Sequence, residues 1–211
     1  MILRKVLVGL RRVRLSEGVR YERFHMMVRD IDRGCPQVEA KIEISCSQLE
    51  PTELATFAAV DVWQRSLREL KRLSDRGQVF YVARHGGIVS GAAIETKRAT
   101  SLGSTIPLRE DEFSIATMFT VPEYRGNGVA SALGCFICRQ MAAAGFRTVI
   151  SFVNVKNASS LRSFAKRGYQ SAGIVGYLDL LGLHFTYCLA RDARWRYRQK
   201  QWLAQEEQPG S

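Results

Sequence analysis

Apolar side chains recur along this chain with two periods, the spacing of a helix and the alternation of a strand. Each change of period marks the start of another expected helix or strand. The first ten residues place apolar positions at helical spacing among basic ones, which predicts a short basic amphipathic helix. Such a helix could pack on the domain or lie on an anionic membrane surface. From residue 38, the stretch VEAKIEISCSQL alternates apolar and polar positions, as expected for a strand.

The helical period returns over residues 50–74, where two apolar stripes predict two consecutive helices. Two β-rich runs on either side of His85, Gly86 and Gly87 predict a hairpin. The polar, glycine-bearing residues 97–109 are expected to form a loop. The stretch EFSIATMFTV that follows is almost unbroken in apolar character, which indicates a strand buried on both faces.

The second half of the chain alternates between the two periods. A helix is predicted from Val129 to Gly145, and the segment RTVISFV is a further buried strand. The segment NASSLRSFAKR predicts a short helix that Asn157 caps and Gly168 ends, and two strands follow it. The order β, α, α, β, β, β, α, β, α, β, β predicts one α/β domain with a mixed sheet.

Composition narrows the class of protein. Apolar residues make up 46% of the chain, enough for a substantial core, and no apolar run is long enough to predict a membrane span. The first residues lack the features of a secretory signal. Five cysteines without framework spacing indicate reduced thiols, as in a cytosolic protein. Cys135 and Cys138 form a CxxC within one predicted helix, which favours two buried small side chains over a zinc site.

The net charge of +11 is concentrated at the ends of the chain. Residues 1–33 hold nine basic and four acidic side chains, and residues 191–211 hold five and three. The excess suits an anionic partner, although a solvated surface has the same appearance. The tail ARDARWRYRQKQW interleaves basic and aromatic residues, so it could contact a nucleic acid or cover the domain surface as a basic helix.

The stretch VPEYRGNGVASAL follows a buried strand and begins a helix. Glycines at such a point let backbone N–H groups converge on a ligand, and the helix N-terminus favours an anion. Two common phosphate motifs do not fit. A dinucleotide fingerprint would need a third glycine at Ser131 and an acidic residue near the end of the next strand, and a Walker A loop would need a lysine.

The same residues resemble the GCN5-related N-acetyltransferase (GNAT) superfamily. RGNGVA matches the family pattern R/Q-x-x-G-x-G/A through Arg125, Gly128 and Ala130, and NASSLRSFAKRGY is similar to the second family motif. The resemblance implies an α/β fold with a mixed, mostly antiparallel sheet of about seven strands and about four helices. It covers residues 39–190, which leaves a basic N-terminal extension over residues 1–38 and a basic, aromatic tail over residues 191–211.

The resemblance also implies a site for acetyl-CoA. The pyrophosphate would lie on the backbone of Arg125, Gly126, Asn127, Gly128, Val129 and Ala130. The pantetheine arm would pair with the strand end formed by Phe119, Thr120 and Val121. Contacts to the arm or the thiol would come from Asn157, Ser160 and Phe164. No metal is expected.

The catalytic groups follow the family less closely. Phe164 stands where many relatives have a tyrosine that protonates the departing thiolate. A general acid contributes about 10²–10⁴-fold, so its loss slows the reaction without preventing it, and water, Tyr169 or Tyr177 could replace it. Glu112 and Glu95 are the candidate bases, directly or through water.

These features predict an enzyme that transfers the acetyl group of acetyl-CoA to the primary amine of a small molecule or an amino sugar by direct attack. One alternative is a long-chain N-acyltransferase that takes its acyl group from acyl carrier protein or acyl-CoA. The other is a non-enzymatic protein that binds nucleic acid or CoA, of which nucleic acid is the less favoured ligand. A cytoplasmic monomer or homodimer is expected, with a location at the membrane surface as the alternative.

Overall fold

A computed structural model describes residues 19–32, 34, 38–61, 65–101, 104–180 and 183–190. The strands are β1 Val19–Asp30, β2 Ser45–Gln48, β3 Val79–His85, β4 Gly87–Glu95, β5 Arg98–Ser101, β6 Ser104–Pro107, β7 Glu112–Thr120, β8 Thr148–Asn154, β9 Gln170–Leu180 and β10 Leu183–Ala190. The helices are α1 Leu54–Val60, α2 Leu67–Asp75, α3 Val129–Ala143 and α4 Ala158–Lys166. The helix expected over the first ten residues and the basic tail lie outside the described residues.

Eight strands form the main sheet in the order β10-β9-β1-β8-β7-β4-β3-β2. Strands β7 and β8 pair in parallel, and all other neighbours in this sheet are antiparallel. This confirms the mixed, mostly antiparallel sheet with four helices. The strand of the main sheet that the sequence did not predict is β1, which lies between β8 and β9 and raises the number of strands in this sheet from about seven to eight. Its charged residues obscure the alternation of its apolar ones.

Helices cover both faces of the sheet. Neighbouring residues of β3 point to opposite faces, so that Phe80 packs in the cluster of α1 and α2 while Tyr81 packs in the cluster of α3. Leu161 and Phe164 bring α4 to the α3 side. Cys135 and Cys138 are 1% and 2% exposed in α3, which confirms them as buried side chains. None of the described helices is long and apolar enough to cross a membrane.

Two predicted elements differ from the structure. The strand expected over residues 38–49 pairs with β3 only over Ser45–Gln48. The alternation of apolar and polar positions still corresponds to packing, because Ala40, Ile42 and Ile44 pack against the α3 cluster. The expected loop over residues 97–109 is a hairpin of β5 and β6, which forms a separate two-stranded sheet. Its polar composition concealed the strands, although Ala99 within it is fully buried.

Candidate functional site

Strands β7 and β8 separate halfway along their length. Their parallel pairing runs from Glu112 opposite Thr148 to Ile115 opposite Ser151. On the other side of β7, Ile115 pairs with Ile94 and Thr117 with Ala93, so Ala116 is an extra residue. Such a bulge bends the strand that carries it. Because β8 stays paired with β1 up to Asn154, we infer that β7 turns away from it and that a wedge opens between Ala116–Thr120 and Phe152–Asn154.

Backbone groups of β7 are divided between strand β4 and this wedge. The N–H of Val121 donates to the carbonyl of Val89, and the carbonyl of Phe119 accepts from the Ser90 hydroxyl. Backbone groups alternate in direction along a strand, so those of Met118 and Thr120 point away from β4 and toward the wedge. The Thr120 carbonyl accordingly accepts from Nε of Arg125, at 3.1 Å. The sequence named Thr120 but missed Met118, and it placed Phe119 and Val121 at the wedge although their backbones bond toward β4.

The glycine loop joins the wide end of the wedge to helix α3. Gly126 and Gly128 have φ values of +79° and +77°, in the left-handed region that favours glycine. Gly128 is the N-cap of α3 and has no side-chain cap, so the first N–H groups of the helix, at Val129 and Ala130 among others, are available to a ligand. The predicted phosphate cradle, which is the backbone from Arg125 to Ala130, therefore has the N–H donors and the backbone conformation that an anion site requires.

Residues that precede β2 lie directly on this loop. The N–H of Lys41 donates to the carbonyl of Asn127 at 2.8 Å. A Cβ atom at Gly128 would be 3.3 Å from the carbonyl oxygen of Glu39 and 3.5 Å from Cα of Ala40. Gly128 is therefore required both for its backbone angle and for this close approach.

A cavity of about 370 Å³ lies beside the first turn of α3. Its lining combines hydroxyl groups with positive charges: Val38, Ser131, Ser159, Arg162, Ser163, Lys166 and Arg167. The Ser131 and Ser163 hydroxyls are 3.3 Å apart and join α3 to α4. Three cations without a carboxylate in this lining suit an anionic ligand next to the helix N-terminus.

Arg167 is the buried member of this lining, at 4% exposed. Its Nε donates to the carbonyl of Ser163 at 3.3 Å, and its Cζ lies 4.4 Å from the centre of the Phe164 ring. Space for the guanidinium exists because Gly134 has no side chain, since a Cβ there would be 2.5 Å from Nη1. Arg167 is not among the site residues predicted from the sequence, because within the second motif it occupies an ordinary position directly after a helix.

The second motif is arranged around the start of α4. Oδ1 of Asn157 accepts from the N–H of Ser160 and from the Ser159 hydroxyl, at 3.1 and 2.9 Å, which confirms Asn157 as the helix cap. Of the two serines, it is Ser159 that lines the cavity. Tyr169 lies in the core, with its hydroxyl 3.9 Å from Sγ of Cys138, and burial raises its pKa well above the usual value. It is therefore a poor proton donor for a ligand in the cavity.

The two candidate bases lie toward the narrow end of the wedge. The carboxylate of Glu112 is buried and accepts from the N–H of Arg109 at 3.0 Å. Glu112 precedes Ala116 by four residues, or about 13 Å of strand. Glu95 accepts from Nε2 of Gln78 at 2.6 Å and belongs to the end of β4 that pairs with the first half of β7. Neither carboxylate is beside the glycine loop, so a role as base would require water or an acceptor that extends toward them.

The connection between α1 and α2 brings a further polar group to β7. Nε of Arg65 is 2.5 Å from Oδ2 of the fully buried Asp61 carboxylate, and its Nη1 is 3.3 Å from the Thr117 hydroxyl. Nη2 of Arg65 is buried and has no hydrogen-bond partner among the described residues. Thr117 directly follows the bulge, so this network reaches the wedge from the α1 and α2 side. Sequence reasoning missed it because Arg65 and Thr117 are far apart in the chain.

Comparison with known proteins agrees with this geometry. The model of the acetyltransferase (GNAT) family matches residues 45–169, more than half of the chain. The chain therefore belongs to the acetyltransferase (GNAT) family. No curated protein matches it in sequence.

Solved structures show the same fold at low sequence identity. The ribosomal-protein-S18-alanine N-acetyltransferase of Escherichia coli is 16% identical with a TM-score of 0.50, and the match covers 61% of this chain and 78% of that one. The glucosamine N-acetyltransferase region of a fungal multi-domain GH3 β-N-acetylglucosaminidase is 15% identical with a TM-score of 0.58, covering 87% and 23%. A Drosophila protein is 15% identical with a TM-score of 0.57, covering 86% and 57%. The chain thus spans less than two thirds of the length of the last two proteins.

Proposed function

We propose that this chain is an N-acetyltransferase that moves the acetyl group of acetyl-CoA to the primary amine of a small molecule or an amino sugar. One arrangement carries the proposal: the strand β7, which loses its pairing with β8 after Ile115, leads through the glycine loop into the uncapped N-terminus of α3, and a cationic cavity adjoins the first turn of that helix. The helix N-terminus and the cationic cavity suit a phosphorylated group. The wedge between β7 and β8 suits an extended arm that contains amides. A molecule with both parts fits the site as a whole.

Different residues of the chain would bind different parts of the donor, acetyl-CoA. The backbone from Gly126 to Ala130 would bind the pyrophosphate, supported by the cations of Arg162 and Lys166 on α4. The backbone groups of Met118 and the N–H of Thr120 would hydrogen-bond the amides of the arm, as a neighbouring strand would. These contacts orient the donor with its acyl end deep in the wedge.

Acetyl-CoA, when bound, supplies a thioester carbonyl to be attacked. The N–H of Met118 would donate to the carbonyl oxygen, on which negative charge develops during attack. Cys135 and Cys138 are buried within α3 and are not available as nucleophiles, and the mechanism proposed is direct attack by the amine without an acyl-enzyme intermediate. The amine would approach from the α1 and α2 side, where Arg65 and Thr117 form a polar surface.

The choice of acceptor follows from the positions of the two candidate bases, neither of which lies beside the glycine loop. An α-amine has a pKa of about 7.7–8.0, so it is partly neutral near pH 7.5 and needs little assistance, whereas a lysine side chain at about 10.4 needs more. The low-pKa amines of small molecules and amino sugars therefore suit this site. Glu112 and Glu95 remain the candidates for a base that acts through water, and Glu112→Gln and Glu95→Gln test them.

Calorimetry with acetyl-CoA tests the donor, and a screen of amines that follows CoA release tests the acceptor. We expect binding at micromolar to sub-millimolar concentration, as is usual for substrates of enzymes. Absence of binding at millimolar acetyl-CoA would contradict the proposal. Parallel measurements with long-chain acyl-CoA and acylated carrier protein provide the comparison, since a preference for either would favour a long-chain acyltransferase instead.

A further inference from the structure

The guanidinium of Arg167 is a buried positive charge at the cavity between α3 and α4. It contacts the Ser163 carbonyl and the faces of the Phe164 and Tyr169 rings. Within the described part of the chain, no carboxylate forms an ion pair with it. A charge removed from water is costly unless an opposite charge or strong hydrogen bonds compensate it. The arrangement therefore favours an anion in contact with Arg167.

The position of this charge along α3 separates it from the phosphate cradle. A Cβ atom at Gly134 would be 2.5 Å from Nη1 of Arg167 and 3.7 Å from Cε of Met118. The side chains of Arg167 and Met118 therefore both reach the surface of α3 at Gly134, where the helix has no side chain. Met118 is one of the two β7 residues whose backbone groups face the wedge. Gly134 follows Val129 by five residues, about 7.5 Å along the helix axis. The guanidinium thus lies deeper than the helix N-terminus, beside the wedge.

We propose that Arg167 is a catalytic residue that stabilises the thiolate released when the acyl group leaves the donor. This inference rests on the acetyltransferase activity proposed above. In the step, the lone pair of the acceptor nitrogen forms the new N–C bond, the C–S bond breaks, and its electron pair stays on sulfur. The nitrogen loses its proton to water, and the guanidinium pairs with the anionic sulfur until the sulfur takes a proton from solvent.

The chemistry of the surrounding residues agrees with this assignment. Phe164 cannot donate a proton, but its ring face holds the guanidinium in place by a cation–π contact. An isolated thiol has a pKa of about 8.5, and a neighbouring arginine or lysine lowers the pKa of protein thiols to about 3.5–7.5. A sulfur in contact with Arg167 can therefore leave as an anion near neutral pH, and no general acid is required.

The direct test is a titration of the thiol of CoA bound to the full chain, followed by the ultraviolet absorbance of the thiolate. Wild type should lower the pKa of the bound thiol by at least about one unit from 8.5, which is tenfold more thiolate at a given pH. Arg167→Gln should restore a pKa near 8.5 and reduce kcat by about 10²-fold while the Kd for CoA stays nearly the same. The matched control is Arg162→Gln, which removes an exposed charge from the same cavity and should weaken CoA binding without raising the thiol pKa.

A second variant moves the guanidinium without removing it. Gly134→Ala places a methyl group where Nη1 of Arg167 lies, and the flexible end of the arginine must shift. Alanine is favoured over glycine within a helix, so this variant should fold at least as well as wild type. It should nevertheless raise the thiol pKa and lower kcat. Combined with Arg167→Gln, it should have no additional effect on either quantity.

The outcomes separate this inference from the proposed function. If wild type does not bind CoA, both are wrong. If CoA binds but its thiol titrates near 8.5 in wild type, only the role of Arg167 is wrong. A higher Kd for CoA in Arg167→Gln with an unchanged thiol pKa would likewise overturn it, because that result assigns the charge to the phosphates. Should Arg167→Gln fail to fold, Gly134→Ala and the charge-retaining Arg167→Lys decide the question by the same titration.

Discussion

Replacing Gly128 by alanine tests whether the glycine loop binds the donor. The change has two effects that the structure separates. It places a side chain on a residue with a φ of +77°, and it puts a Cβ atom 3.3 Å from the carbonyl oxygen of Glu39. Gly126→Ala is the matched control, because Gly126 has a similar φ of +79° but no atom of the described residues lies within 4 Å of its Cβ position. The difference between the two variants isolates the contact with Glu39.

The expected size of each effect follows from these numbers. Left-handed backbone costs a non-glycine residue roughly 1–2 kcal/mol, so both variants should lose about that much stability. In Gly128→Ala the loop or the residues around Glu39 must also shift by a few tenths of an ångström. Because Gly128 is the N-cap of α3, this shift moves the N–H groups that would face the phosphates. Loss of one charge-assisted hydrogen bond costs about 1.5–3 kcal/mol, which is a Kd for CoA weakened by roughly 10-fold to 150-fold.

Calorimetry with CoA measures the affinity of each variant, and urea unfolding measures its stability. Gly128→Ala should lose affinity beyond the loss in Gly126→Ala, although both fold. Equal affinity of wild type and Gly128→Ala for CoA would refute the assignment of this loop to the pyrophosphate. Equal losses in the two glycine variants would show instead that backbone strain alone, and not the contact with Glu39, controls the site.

Three further variants test the packing around the site. Arg65→Met should cost about 3 kcal/mol in urea unfolding, because the buried Asp61 carboxylate loses its cation, and adding Asp61→Asn should recover part of the loss. Gly91→Ala places a methyl group 2.5–2.9 Å from two core phenylalanine rings and should destabilise by about 1–3 kcal/mol. Burial, with a hydrogen bond to Tyr21, raises the pKa of Tyr187 from 10.0 to about 12. Its folded state therefore favours the neutral phenol, so stability should fall as pH rises from 10 toward 12, and Tyr187→Phe should reduce that fall.

Features set by neighbouring residues were predictable from the sequence. Helix α3 begins after Gly128 as expected, and it ends before Gly145, where the N–H of Phe146 donates to the carbonyl of Met141. The Asn157 cap of α4 is confirmed by its hydrogen bonds. Such caps depend on a few consecutive residues, so a short stretch of sequence contains all the information they require.

Features that depend on distant strands were not predictable in the same way. The residues of β1 pair with β8 and β9, more than one hundred positions away, and only this pairing makes a strand of a charged stretch. The polar local composition of residues 97–109 predicts a loop, whereas β5 and β6 form a hairpin there. The division of the chain into residues 1–38, 39–190 and 191–211 stays a prediction, since both ends lie largely outside the described residues.

The proposed chemistry depends on features of this second kind. The bulge at Ala116 is a property of two strands in register, because the extra residue exists only relative to the partner β4. The same register decides that Met118, and not Phe119, turns its backbone to the wedge. Arg167 gains its position from Gly134 on another helix. A motif in one stretch of sequence can therefore locate the phosphate cradle, while the groups next to the reacting sulfur are found only by the contacts between elements. For that reason Gly134→Ala, which lies in neither motif loop, should impair the reaction more than substitutions of exposed residues within the motifs.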